Sequence, residues 1–366
     1  MRVVVAGLGD TGLLTAIHLA RHRDLEVVGI SSQPGLVSGQ ELGTRLARPD
    51  DWQRDYRIAF DRFRRLDRVR TVHAELVGLD LAARTVLLDG AADGSREERY
   101  DVLVIATGVR NGFWRTPELR TDHDVTAGLA AAHDRLASAG TILVVGGGAA
   151  SVSSALQLAL RWPDKRVVLA FPGERGLPQH HPRAWTHAAR RLAAAGVEVL
   201  PGHRAVVPDD IDTIAHGPVA WQTGQAPTPA EAVLWAIGRT RPNTDWLPPA
   251  LLDETDYVRV TATLQLPGHP GLFAVGDVAA SDPLRASARS RADKLVARNV
   301  RAHLADRPLA TYRPPRHRWG SVLGVEPDGL RVFAPNGRPF RFPAWTVDTL
   351  LQPWIVRRGI YRGVRD

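Results

Sequence analysis

The chain opens on an unbroken apolar run. "RVVVAG" has no polar position after its first residue, the pattern of a strand buried on both faces of a parallel sheet. "TGLLTAIHLARH" follows with apolar residues at helical spacing, and "LEVVGIS" is again a short apolar run. The same order returns further on: "TILVV", then "AASVSSALQLAL" at helical spacing, then "KRVVLAF". Between the two units, "RVRTVHAELVGLDLAARTVLLDG" alternates apolar and polar positions and predicts a small antiparallel meander. Three more short apolar strands, "YDVLVIATG", "AVLWAIG" and "GLFAVGD", each end in a glycine-containing turn.

Both strand–helix junctions are rich in glycine. The first reads Gly7-x-Gly9-x-x-Gly12 with Thr11 inside it, and the second Gly146-x-Gly148-x-x-Ser151. Strand, glycine turn, helix, strand is the context in which this spacing binds a dinucleotide. The first glycine makes the turn, the second admits a pyrophosphate to the backbone, and the third lets helix and strand pack closely. Helix N-terminal amides then face the phosphate charge. A small Ser151 still permits fairly close packing.

Neither unit carries the acidic residue expected to bind a ribose at the end of its second strand. The first ends at Ser31-Ser32, hydroxyls without a carboxylate's charge, and the second at Phe171. Losing the second acid removes the usual preference for NAD. Arg175 nearby is either a partner for a 2′-phosphate, which leans toward NADPH, or an exposed loop residue.

The 366 residues are too many for one ordinary core, and 44% hydrophobic with 23% charged residues is a soluble globular balance. No apolar run approaches a membrane span, and a strand starting at Val3 leaves no room for a signal peptide, so a cytoplasmic protein is expected. With no cysteine, thiol relays and Cys-ligated metals are excluded, and any electrons must pass through a bound organic cofactor. The net charge of +8 is spread along the chain, almost all of it as Arg. No nucleic-acid fold accompanies it, so it reads as a compositional bias. His180 and His181 in "LPQHHPR" lack ligand spacing and predict an exposed turn and no metal.

In order, these segments resemble the flavoprotein reductases with two dinucleotide folds. They are closest to the type II NADH dehydrogenases and the apoptosis-inducing-factor-like proteins, ferroptosis-suppressor quinone reductases included. The resemblance covers about residues 1–310. It implies an α/β protein of two Rossmann-like domains: an FAD domain (1–112 and 243–310), an inserted NAD(P) domain (113–242), and a small C-terminal element (311–366). By resemblance, Gly7, Gly9, Thr11, Gly12, Ser31, Ser32, Thr107, Gly108, Gly276 and Asp277 serve FAD. Gly146, Gly148, Ser151, Phe171, Arg175 and Gly238 serve NAD(P)H. The implied chemistry passes hydride from nicotinamide to FAD and on to a quinone or another small acceptor, with no catalytic side chain required.

Some positions depart from the family. Ser153 stands where many relatives have Glu, and Ala286-Ser287 and Arg291-Ala292 replace two glutamine-containing pairs on an expected helix after Asp277. Arg285 and Arg289, four apart on that helix, are candidates for a place near the flavin ring. Ser151 for Gly, Phe171 for an acid and Ser153 for Glu keep open a specialised flavoenzyme that no longer uses nicotinamide; a flavin-binding interaction protein is a further alternative. The tail mixes Leu350, Leu351, Trp354, Ile355 and Tyr361 with Arg357, Arg358 and Arg362. With Pro353 interrupting its helix, packing on the FAD domain is expected; a homodimer contact or a peripheral membrane contact are the alternatives.

Overall fold

The computed structural model describes residues 1–38, 42–110, 116–208, 211, 214–238, 240–285, 287 and 291–365. Strand β1 (Arg2–Ala6), helix α1 (Asp10–Leu19) and strand β2 (Glu26–Ser31) form the first βαβ unit. A ribbon of β3 (Gly35–Val37) and β4 (Arg57–Ala59) brackets helices α2 (Leu42–Ala47) and α3 (Pro49–Tyr56). Strand β5 (Val69–His73) is followed by β6 (Glu75–Asp80), β7 (Thr85–Asp89) and β8 (Glu97–Arg99), then β9 (Val102–Ile105) and β10 (Val109–Arg110).

The second lobe runs through α4 (Asp122–Ser138), β11 (Thr141–Val145), α5 (Ala149–Arg161), β12 (Arg166–Phe171), α6 (Pro182–Ala194), β13 (Glu198–Pro201) and β14 (Ala232–Trp235). The chain returns through β15 (Arg241–Pro242), β16 (Leu272–Ala274) and α7 (Ala292–Leu304). It closes with β17 (Gly320–Glu326), β18 (Gly329–Phe333), β19 (Pro339–Pro343), the turn α8 (Ala344–Thr346) and a π-helix over Val347–Ile360.

Two parallel sheets organise the molecule, in the orders β16-β9-β1-β2-β5 and β13-β12-β11-β14. In each, an inner strand (β1 and β11) carries the glycine turn at its carboxyl end, where ligands bind in open α/β sheets. The apolar strands are covered on both faces: Val3 and Val5 belong to one core cluster, Val4 and Ala6 to another. Two short strands join the lobes, β10 pairing antiparallel with β15. Beside them Thr107 Oγ1 donates to the Asn243 carbonyl (2.8 Å), and Asn243 Nδ2 donates back to the Thr107 carbonyl (2.9 Å).

The alternating stretch is only partly a meander. β6, β7 and β8 form it, but Val69–His73 joins the main sheet in parallel beside β2. As the outer strand β5 keeps exposed positions, so its sequence alternates like a half-solvated antiparallel strand.

No helix begins directly after Asp277, contrary to the expectation. Arg285 and Arg291 adopt left-handed backbone (φ 48° and 58°), and α7 starts only at Ala292. The shared helical face of Arg285 and Arg289 therefore does not form through Arg285, while Arg289 and Ala286 lie outside the described residues.

Pro353 does not end its helix either. It sits inside the wider π-helix, whose different hydrogen-bond register accommodates the missing donor. The tail packs on both lobes instead of the first alone. Val322, Leu323 and Phe333 join the second lobe's core, and Gln157 Nε2 donates to the Leu323 (2.8 Å) and Val325 (2.9 Å) carbonyls. Tyr361 returns to the first lobe's core. Phe340, Trp345, Leu350 and Trp354 remain exposed, and among the described residues no helix is long and apolar enough to cross a membrane.

Candidate functional site: two glycine turns on one cavity

A cavity of about 1320 Å³ lies between the two sheets. Helices α1 and α5 both point their N-termini at it, N-capped by Gly9 and Gly148 with no side-chain cap. Uncapped N-terminal amides carry partial positive charge and want an acceptor.

The glycines divide the labour as the motif requires. Gly7 (φ 99°) and Gly146 (φ 138°) sit where a Cβ would fall 2.5 Å from the Ala106 carbonyl oxygen and 2.2 Å from that of Ala236. Each turn is thus pressed against the next strand of its sheet. A Cβ on Gly9 or Gly148 would meet nothing within 4 Å, leaving the space that a phosphate approaching the backbone needs. Gly12 is pressed onto the first turn, its Cβ position 1.9 Å from the Gly7 oxygen. Ser151 is fully buried and turns its hydroxyl to the Gly148 carbonyl at 2.8 Å, so the serine is absorbed by its own helix turn. Both turns fit a dinucleotide pyrophosphate.

Around the cavity stand Thr11, Ser31, Ser32, Thr107, Gly108, Gly276 and Asp277 on the first lobe's side and Phe171, Arg175 and Gly238 on the second's. Gly12 and Ser151 lie behind the turns and not among the lining residues. Ser31 is buried, and its Oγ accepts from the Gln33 amide at 3.1 Å, which occupies the hydroxyl locally. Among the described residues no α-helix starts at Asp277; the next begins at Ala292. Ser287 holds the preceding glycine: its hydroxyl accepts from Gly276 N (3.2 Å) and donates to the Gly276 carbonyl (3.0 Å).

Phe171 is buried edge-on to Trp185, ring centroids 5.4 Å apart. Arg175 is half-buried on the cavity wall instead of exposed. The segments bearing Arg175 and Arg204 are tied together by Gly202 N to Gly173 O (3.1 Å) and His203 N to Phe171 O (2.9 Å), and both arginines line the cavity. Ser153 fits its place because α2 closes over it. The Gly43 amide donates to Ser153 Oγ at 3.2 Å, and a Cβ on Gly43 would lie 2.4 Å from that oxygen.

The histidine pair is not an exposed turn. His180 is buried, and the His181 ring caps α6, accepting from the Arg183 amide at 3.3 Å and facing His317 at 5.8 Å.

Sequence reading missed several residues. Glu75 lines the cavity beside Ser31 and Ser32, because Ala74 N donates to the Ser31 carbonyl (3.0 Å) and carries the next residue past the end of β2. A carboxylate thus stands near the missing acid's place, supplied by the neighbouring strand. Its signal was an acidic residue just after an outer strand. Arg318, Trp319 and Tyr361 reach the cavity from the tail. Nothing local in the sequence marks them.

The family model described as "Pyridine nucleotide-disulphide oxidoreductase" matches residues 1–299. The chain is 29% identical over 231 residues to Fe-regulated protein 8 of Mycosarcoma maydis, covering 59% of this chain and 56% of that protein. It is 23% identical over 258 residues to ferroptosis suppressor protein 1 of Xenopus tropicalis, covering 66% of each. The chain therefore spans little more than half the length of the first of these relatives. Among solved structures, the sulfide:quinone oxidoreductase of Aquifex aeolicus superposes with a TM-score of 0.71 at 16% identity, covering 99% of this chain and 92% of that one.

Proposed function

The chain belongs to the pyridine nucleotide-disulphide oxidoreductase family, and on that premise we propose that it takes a hydride equivalent from NAD(P)H, by way of FAD, and delivers it to a small-molecule acceptor. One observation carries the reading: two uncapped helix N-termini, on two separate parallel sheets, open on the same cavity. One such end suits one dinucleotide, and two facing ends suit a donor and a resident cofactor. FAD, when bound, supplies a two-electron store that lets donor and acceptor react in turn.

The chain's own residues bind and orient. The turn at Gly7 and Gly9 holds one pyrophosphate and that at Gly146 and Gly148 the other. Thr107, Gly108, Gly276 and Asp277 bound the FAD side, where Asp277 accepts hydrogen bonds from hydroxyls. Glu75 takes the part of the absent ribose-binding acid.

NADPH is the proposed donor. Arg175 and Arg204 stand on hydrogen-bonded segments at the adenosine end, and the lining residues there, Phe171, Pro172, Gly173 and His203, include no carboxylate. Guanidinium forks suit a 2′-phosphate, and an acid would repel it. With no cysteine in the sequence, the acceptor takes its electrons directly and not through a thiol relay, and quinones belong to that class.

The test is an anaerobic titration of the purified protein with NADPH, followed through the visible absorbance of bound flavin. Bleaching at stoichiometric NADPH supports the reading. A protein that neither carries nor takes up FAD overturns it.

A further inference from the structure

Arg285 is a cation on the wall of the shared cavity. Its guanidinium lies over the Tyr257 ring, 3.4 Å from the centroid, and Nη1 is buried without a hydrogen-bond partner. Among the described residues, no carboxylate or carbonyl accepts a hydrogen bond from this side chain. Asp253, the acid whose field favours it, does not bond it directly: its Oδ1 accepts from Thr255 N (2.8 Å) and Tyr257 N (3.0 Å).

A second guanidinium stands beside it. Arg318, from the tail, donates through Nε to the carbonyl of Leu284, the residue before Arg285, at 2.8 Å, and it lines the same cavity. Burial lowers the pKa of Arg285; Asp253 opposes that shift and Arg318 adds to it. The Arg285 backbone is left-handed, and Ser287, two residues on, is bonded twice to Gly276. Arg285 lines the same cavity as Gly276 and Asp277.

A buried guanidinium N–H without an acceptor is costly, and the cost falls when an acceptor arrives, most of all a charged one. A guanidinium presents several donors in one plane, a shape that matches a carboxylate. The dinucleotide phosphates have their own receptors at Gly9 and Gly148, so the Arg285 donor is not needed for them, and Arg318, itself bonded to Leu284, adds positive charge beside it. We propose that Arg285 and Arg318 form the receptor for an anionic group, a carboxylate or similar oxyanion, on the second substrate. The proposal rests on the oxidoreductase reading above and narrows its acceptor to organic molecules that carry such a group.

Benzoate is the probe, with benzamide as its uncharged counterpart, titrated calorimetrically into the full-length protein as purified. Expected is binding of benzoate but not benzamide, weakened by about tenfold or more in R285M and in R318M, with partial recovery in R285K and FAD content at the wild-type level. Equal benzoate affinity in the wild type and both Met variants overturns the proposal, as does a wild type that ignores benzoate. Met variants that lose FAD or NADPH affinity while binding benzoate normally also overturn it, since the cations then serve a cofactor. Because calorimetry does not depend on flavin colour, a protein lacking FAD sinks the oxidoreductase reading without deciding this one.

Discussion

The ring of Tyr361 stands edge-on to that of Phe63, centroids 5.3 Å apart and planes at 76°. Almost three hundred residues of chain separate the two rings. The contact returns the tail to the first lobe's core while Tyr361 still lines the cavity. Ser38 Oγ, which donates to Asp10 Oδ1 at 2.7 Å, also lies within hydrogen-bonding reach of the Tyr361 phenol. Burial pushes that phenol well above its ordinary value of 10.0; the Asp10 charge adds to the shift, and the bond with Ser38 works against it.

The sign of the pH effect follows. The folded protein keeps the Tyr361 proton where the unfolded chain loses it, so above about pH 10 the unfolded state binds fewer protons and stability falls as pH rises. Below that pH the contribution is constant. Chemical denaturation from pH 9 to 11.5 should show the wild type losing up to about 1.4 kcal/mol per pH unit more than Y361F. Parallel curves would mean that the phenol is not held in its protonated form. Y361A should cost roughly 3–5 kcal/mol at neutral pH, as truncation of a buried aromatic does.

Gly9 and Gly148 separate folding from binding. Both have extended backbone and open space at the Cβ position, so G9V and G148V should fold with melting temperatures within a few degrees of the parent. G9V should be purified without flavin. G148V should keep its flavin but respond to NADPH only at concentrations at least about tenfold higher, since a side chain then stands between phosphate and amides. A G148V protein that is bleached as readily as the parent would remove the second turn from nicotinamide binding.

Glu75 should behave as a ribose ligand. E75Q keeps the shape and loses the charge, and a charge-assisted hydrogen bond is worth roughly 1.5–3 kcal/mol. The FAD dissociation constant, read from flavin fluorescence during reconstitution, should rise about 10- to 100-fold. An unchanged constant would make Glu75 a support for its neighbour alone, where its carboxylate accepts from Leu119 N at 3.4 Å.

Donor choice should follow the arginine pair. In R175A/R204A the KM for NADPH should rise by about tenfold or more while that for NADH stays within a factor of two, because NADH has no 2′-phosphate to lose. Equal losses for both donors would point to a general electrostatic role.

The two βαβ units are specified by consecutive residues. A strand buried on both faces, a glycine-shaped turn and an amphipathic helix are local requirements, and each is written in consecutive residues, as in "VVVAGLGDTG". That most of the named glycines, hydroxyls and Phe171 line one cavity follows from the same logic, since parallel strands deliver their carboxyl ends to one edge. The remaining features depend on packing between distant segments. Arg285 left the expected helix for a left-handed turn because Tyr257 takes its guanidinium and Ser287 clamps Gly276, contacts that no local pattern encodes. Glu75 became a site residue because β5 pairs with β2, a partnership its alternating pattern disguised. The tail's Arg318 and Tyr361 arrived by crossing both lobes, held by Gln157 on one and Phe63 on the other. Residues far apart in sequence meet only when packing has closed the chain between them, so their roles cannot be read from their neighbours.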